Sequence, residues 1–510
     1  MKTARSTSSI EILEPRIAPA SLVNHSTVAY HDADGDFVFV TLSKPLLTDV
    51  ATANRIFHFD AGPLLANGNP DLFMQQLQLI DLTSIAGVVS GVGISVEVAP
   101  HGDGDGFANV GRINATGIDL GKVAIKGDLG SIAAGDNVFT TPGLKSLNVQ
   151  SIGQFGITTQ AVGGTLVSNI SGKLGTLAVK SDIVGAFLSV AGDGTPATDD
   201  FAKVGNVTIG GSLIGMATDN SGQIRATGSI GPVKIGGDLA GGDGINSGSI
   251  QSFGNIVSVT VGGSVLGGIG TSTTAYNTGS IISHLYHIGP IKIYGDLKAN
   301  SYDTSGSIYA SQIIYSLTIK GSLIGGAGRQ ISGVDENGAP FGSGQEGQVS
   351  GGISKLFIGG NLIGGDGDGG ASIKTVYAHT GVMIGGSLLG GNGDHTASIH
   401  GFGSSITIGG SLHGGAGYRS AEIGGFDSIK VLGNVIGGVG PSSADIDDGN
   451  SGNGSVFIGG SLIGGSGIGS GHVSHRGASG TIRGSVVGGS GFASGSITLS
   501  SQGVSPSAAR

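Results

Sequence analysis

The chain has 510 residues, 103 of them Gly, no Cys, no Trp, and a formal net charge of -10 spread along its length. Without Cys, neither a disulfide framework nor a thiolate metal site can form. No basic stripe suits nucleic acid, and no run of about 20 apolar residues suits a helical membrane span.

Residues 1–20 read as a targeting-like segment without regular structure. Lys2 and Arg5 precede Ile10 to Ala20 (IEILEPRIAPA), where Glu11, Glu14 and Arg16 break any secretory core of about 7 to 15 apolar residues. Leu13-Glu14-Pro15-Arg16 resembles the Leu-Glu-Pro-Arg segment near the start of glycine-rich, repetitive bacterial surface and exported proteins, many of them adhesin-like β-solenoids. That family usually continues with a Leu-Leu pair, where this chain has Ile17 and then Ala18-Pro19. The resemblance implies export, to the cell surface or the extracellular space.

Residues 21–110 are poorer in Gly. Phe37 to Leu42 (FVFVTL), Arg55 to Phe59 (RIFHF) and Gly93 to Val98 (GISVEV) alternate as strands do, which predicts a small β domain that caps the repeats beginning at residue 111. His31 to Asp36 (HDADGD) places Asp32, Asp34 and Asp36 at alternate positions of a turn, a pattern that can wrap calcium. An EF-hand is excluded, because the bidentate Glu it needs eleven residues after Asp32 is Ser43. Asp103 and Asp105 (GDGDG) allow the same reading.

From residue 111 to 500 one unit recurs, as in Val207 to Gly215 (VTIGGSLIG), Val382 to Gly390 (VMIGGSLLG) and Val456 to Gly464 (VFIGGSLIG). Its polar anchors are Ser212, Asp238, Ser264, Asp296, Ser322, Asn361, Ser387, Ser411, Asn434, Ser461 and Ser485, spaced by 26, 26, 32, 26, 39, 26, 24, 23, 27 and 24 residues. A period of about 25 with three short apolar pieces per unit fits one turn of a β-solenoid, whereas a propeller blade needs four longer strands in about 40 residues or more. The fold expected is all-β: a parallel β-solenoid of about fifteen rungs, roughly 70 Å long at the strand spacing, with the N-terminal β cap. The pairs Gly210-Gly211, Gly359-Gly360, Gly385-Gly386 and Gly409-Gly410 are expected to turn its corners with φ above zero. The anchors are expected to form a hydrogen-bonded column about 4.8 Å per step.

Chemistry on such a rod has to come from equivalent positions of neighbouring rungs. Asp366 and Asp368 lie five and seven residues after Asn361, and Asn392 and Asp394 lie at the same offsets after Ser387, so the four should stack, with His395 and Tyr418-Arg419 close by. Asp366, Asp368 and Asp394 are therefore candidate calcium ligands, or glycan contacts, set against polar loop tips that serve only the fold. The twelve His form no HExxH or paired-ligand motif, and GxSxG, Walker and dinucleotide fingerprints are missing. Arg329 to Gln348 is an insertion suited equally to partner contacts or to a spacer role, and residues 501–510 read as a tail without regular structure. The function expected is a non-enzymatic exported rod or adhesin-like scaffold whose partners are glycans or other surface proteins, with no nucleic acid and no membrane span. The alternative is a polysaccharide-active β-helix enzyme using Asp366, Asp368 and Asp394.

Overall fold

The computed structural model describes residues 20–60, 74–195, 202–268, 276–300, 305–327, 333–334, 340–341, 349–378, 381–447, 454–475 and 479–499. The Leu-Glu-Pro-Arg segment, most of the Arg329 to Gln348 insertion and the tail 501–510 lie outside the described residues.

The N-terminal region begins with β1 (Ser21–Asn24), β2 (Thr27–His31) and β3 (Phe37–Leu42), joined as antiparallel neighbours. In β3 every second residue is buried, as the alternation of FVFVTL predicts. A short helix comes next, α1 (Val50–Ile56), whose first turn is closed by Asp49 accepting from the Thr52 amide at 2.7 Å. The alternation in Arg55 to Phe59 predicts one strand, but Arg55 and Ile56 belong to this helix. The Asp49 cap starts it, and Ala53 and Ile56, three residues apart, bury one face. Only Phe57–Phe59 is strand, β4, antiparallel to β5 (Leu77–Asp81). Next comes β6 (Val92–Ala99), antiparallel to β3 on one side and parallel to β8 (Leu120–Gly135) on the other. It is the strand at which the antiparallel cap passes into the parallel stack. The second wall of that stack reaches further back, since β5 pairs in parallel with β7 (Val110–Thr116) and β7 with β8.

Beyond β8 the chain is a parallel β-solenoid of three walls. The first holds the inward pairs of the VxI strands, stacked in register as Val207/Ile209, Val233/Ile235, Val259/Val261, Ile291/Ile293 and Leu317/Ile319, continuing to Val456/Ile458. The second is the two-residue strand after the anchor, where one residue column runs from Leu77 through Val110, Leu129, Ile152, Ile183 and Leu213 to Val486. The third stacks Ile224, Ile250, Ile281, Ile308, Val349, Ile373, Ile399, Ile423, Ile446, Val473 and Ile497. Apart from Val486 and Ile497 these columns are buried and form one continuous aliphatic core. Unequal step lengths do not disturb them. The 39-residue step from Ser322 to Asn361 leaves Leu323 above Leu362.

The anchor column is an unbroken hydrogen-bond ladder. Ser212 N donates to Asp182 Oδ1 (2.6 Å), Asp238 N to Ser212 Oγ (3.0 Å), Ser264 N to Asp238 Oδ1 (2.6 Å), and so on to Ser485 N, which donates to Ser461 Oγ (3.0 Å). Each side chain thus satisfies an amide that the bend removes from the sheet.

The glycine pairs beside this ladder work differently from expectation. None of Gly210, Gly211, Gly359, Gly360, Gly385, Gly386, Gly409 and Gly410 has a positive φ. Space is the constraint: a Cβ on Gly236 would collide with the carbonyl oxygen of Gly210 on the preceding rung. The left-handed residues sit instead in the turn before the third wall, as Asn220 and Gly222, Asn246 and Gly248, or His395 and Ala397. Between them a buried hydroxyl pins the turn, Ser221 Oγ taking the Met216 amide at 2.8 Å and Thr396 Oγ1 the Gly391 amide at 2.9 Å.

Candidate functional site

Asp366, Asp368 and Asp394 fall on successive rungs, stacked as their offsets require. Asn392 Nδ2 donates to Asp366 Oδ1 at 2.6 Å, Asp394 N to Asp368 Oδ1 at 2.8 Å, and Tyr418 N to Asp394 Oδ1 at 2.7 Å. One oxygen of each carboxylate is therefore tied to the next rung. Their ligand atoms do not form a convergent group; among the described residues two groups of three do so.

The first is Asp32, Asp34 and Asp36, whose oxygens lie within 4.8 Å of one another. The tight turn after β2 brings them together, with Asp36 N donating to Asp32 Oδ1 at 2.8 Å. They grip the segment after β6. His101 N and Gly106 N donate to the two oxygens of Asp36, at 2.8 and 2.5 Å, and Asp105 N donates to Asp34 Oδ2 at 2.9 Å. The GDGDG segment is thus a partner of this cluster. Burial, reinforced by a hydrogen bond and repulsion from Asp34, pushes the Asp32 carboxyl up to about 7. Asp34 is held low by that same hydrogen bond. The hydrogen bond between the two carboxyls needs a proton, which the raised Asp32 carboxyl supplies. Asp36 is committed to amides, so a calcium ion would have to use the remaining oxygens of Asp32 and Asp34 in place of that proton.

The second group is His395, His400 and Glu422, beside the stacked aspartates. His395 lies in the left-handed turn, His400 one rung back in the third wall opposite Gly424, and Glu422 immediately before Ile423. Glu422 has a side chain only 3% exposed, with Arg419 Nη1 donating to its Oε1 at 3.0 Å. Its Oε2 faces His400 Nε2 at 3.2 Å and His395 Nδ1 at 3.6 Å, but neither ring is aligned as a hydrogen-bond donor and Oε2 is buried without a hydrogen bond. Burial alone would raise the Glu422 carboxyl. His400, Arg419 and His395 together hold it below its usual value. The sequence placed His395 and Arg419 here but missed His400 and Glu422. A signal existed: the position before the third-wall Ile is Ser at 249, 280, 307, 372 and 398, then Glu422, Asp445 and His472 on successive rungs. Asp445 and His472 are themselves bonded, Oδ1 to Nδ1, at 3.0 Å.

Elsewhere the rod carries an aromatic ridge at the corner between the third and first walls. His284 stacks on Phe253 at 4.6 Å, Arg225 lies 5.2 Å from the Phe253 ring, and His287 lies 5.6 Å from the Tyr315 ring. Val257 and Tyr315 come directly after Ile256 and Ile314, which stack through Ile288, so the ridge spans three rungs. Val257, Leu285, Tyr286 and Tyr315 are each about half exposed (53%, 55%, 46% and 52%). Large apolar side chains grouped this way on a surface mark contact sites.

No helix among the described residues is long and apolar enough to cross a membrane. Comparison of the chain with protein-family models, with curated proteins and with solved structures gives no match.

Proposed function

We propose that this protein is a non-enzymatic, exported β-solenoid that serves as a surface rod and adhesin-like interaction scaffold, with glycans as the partners its aromatic ridge suits. The observation that carries the reading is the exposed group Val257, Leu285, Tyr286 and Tyr315 beside the half-buried Phe253, held on a hydrogen-bonded three-rung base. Aromatic faces stack on the apolar faces of sugars, and a site on strands keeps its geometry without a partner present. Protein partners at the cell surface would use the same ridge. Export rests on the Leu13 to Arg16 resemblance.

A polysaccharide-cleaving reading would use Asp366, Asp368 and Asp394. Each has one oxygen engaged by the next rung, which suits stacking better than proton transfer. The test is a glycan array with the purified chain, beside fractionation of cells that express it. Binding that falls at least tenfold in Tyr286→Ala/Tyr315→Ala, with the protein at the cell exterior, supports the proposal. Protein confined to the cytoplasm, or glycan turnover abolished by Asp368→Ala, overturns it.

A further inference from the structure

We propose that His395, His400 and Glu422 form a binding site for a first-row divalent transition metal of the zinc class, bridging two rungs of the solenoid. Two independent features point to it. The donor set is two imidazole nitrogens and one carboxylate oxygen, a combination zinc accepts, with two ligands on one rung and the third on the next. The third ligand atom, Glu422 Oε2, is buried, lacks a hydrogen bond, and is aimed at both imidazoles.

The distances fit a shared ion. Ligands bound tetrahedrally at about 2.0 to 2.2 Å stand roughly 3.3 Å apart. Glu422 Oε2 is 3.2 Å from His400 Nε2 and 3.6 Å from His395 Nδ1. Two imidazole nitrogens and a carboxylate oxygen at that spacing, with Oε2 lacking a hydrogen bond, are arranged as ligands around a common centre more than as partners of one another. Arg419 completes the arrangement from outside. By holding Oε1 at 3.0 Å it fixes the carboxylate plane and leaves Oε2 to the ion, the role that outer hydrogen bonds play at metal sites. The Arg419 charge opposes a cation, and Glu422 and the neighbouring Asp445 offset it. His395 and His400 have side chains 49% and 38% exposed, so a fourth coordination position faces solvent. Water or a donor from a bound partner would fill it. The site is separate from the aromatic ridge and independent of the glycan reading.

The experiment uses the full chain without a histidine tag, stripped with chelator and titrated with zinc by calorimetry, and with cobalt by visible absorption. The expected result is one zinc per chain and the intense visible bands of tetrahedral cobalt. His395→Gln and His400→Gln should each weaken zinc binding at least tenfold, while His413→Gln, on the second wall, leaves it unchanged. His395 is half exposed, so its variant should melt as the parent does without metal. Zinc binding that the His395→Gln/His400→Gln variant shares with the parent overturns the proposal, as does a cobalt spectrum without tetrahedral bands.

Discussion

At the scale of single residues, Asp32 shows how burial converts a charge into a pH dependence. Its carboxyl titrates at about 7 in the folded chain, against 3.8 when unperturbed, because it is buried and sits against Asp34. A carboxyl raised by folding favours the protonated native state. Its contribution is complete below the unfolded value and is lost as pH rises through the folded one. Asp34, lowered, acts in the opposite sense but in the acid range below its ordinary value. Between pH 5 and pH 8 Asp32 therefore dominates the pair. Asp32→Asn keeps an acceptor for the Asp36 amide and removes the charge. At pH 8 this variant should be more stable than the parent by about 1 to 2 kcal/mol, with little difference at pH 4. Thermal melting of both proteins across that range checks it, and parallel curves would refute it.

At the scale of the repeated element, the anchor ladder sets what the unit tolerates. Asp238 Oδ1 takes the Ser264 amide at 2.6 Å, and Asp238 N gives its own proton to Ser212. Asp238→Ala should cost about 1 to 3 kcal/mol, because it strands a donor in the bend. Asp238→Ser should stay within about 0.5 kcal/mol of the parent, since Ser264 serves Asp296 N in the same way at 3.0 Å. Calorimetric melting of the two variants distinguishes them; equal losses would show that the ladder contributes nothing. This element was legible in the sequence because the inward Val, Ile and Leu of every rung must be apolar and must repeat. The glycine pairs were legible in position but not in cause. A backbone that approaches its neighbour is a property of two rungs, and Gly236 or Gly210 alone does not reveal it. The helix Val50–Ile56 escaped for a local reason: seven residues carry too little periodicity, and only the Asp49 cap marks its start. His400 and Glu422 escaped because they are 22 residues apart and meet only through register.

At the scale of the whole molecule, stability is a sum over rungs and their interfaces rather than a property of one core. The two ends differ. The first parallel strands, β6 and β5, are paired on their outer edges by the antiparallel β3 and β4, whereas the last described rung leaves Val486, Val487 and Phe492 exposed by 49%, 47% and 82%. Hydrogen exchange should be fastest in Ser479–Leu499 and slowest in Val233–Ile319, with the N-terminal region protected beyond the C-terminal rung. A uniform exchange rate along the rod would contradict the additive picture. The two-residue strands of the second wall, stacked in one column from Ile183 to Val486, have a mechanical consequence. A load applied along that column, at right angles to every strand, opens one rung at a time instead of shearing many bonds together. Each rupture would release about 85 Å of slack from about 25 residues, so the rod would yield in small successive steps under tension and could rewind between them.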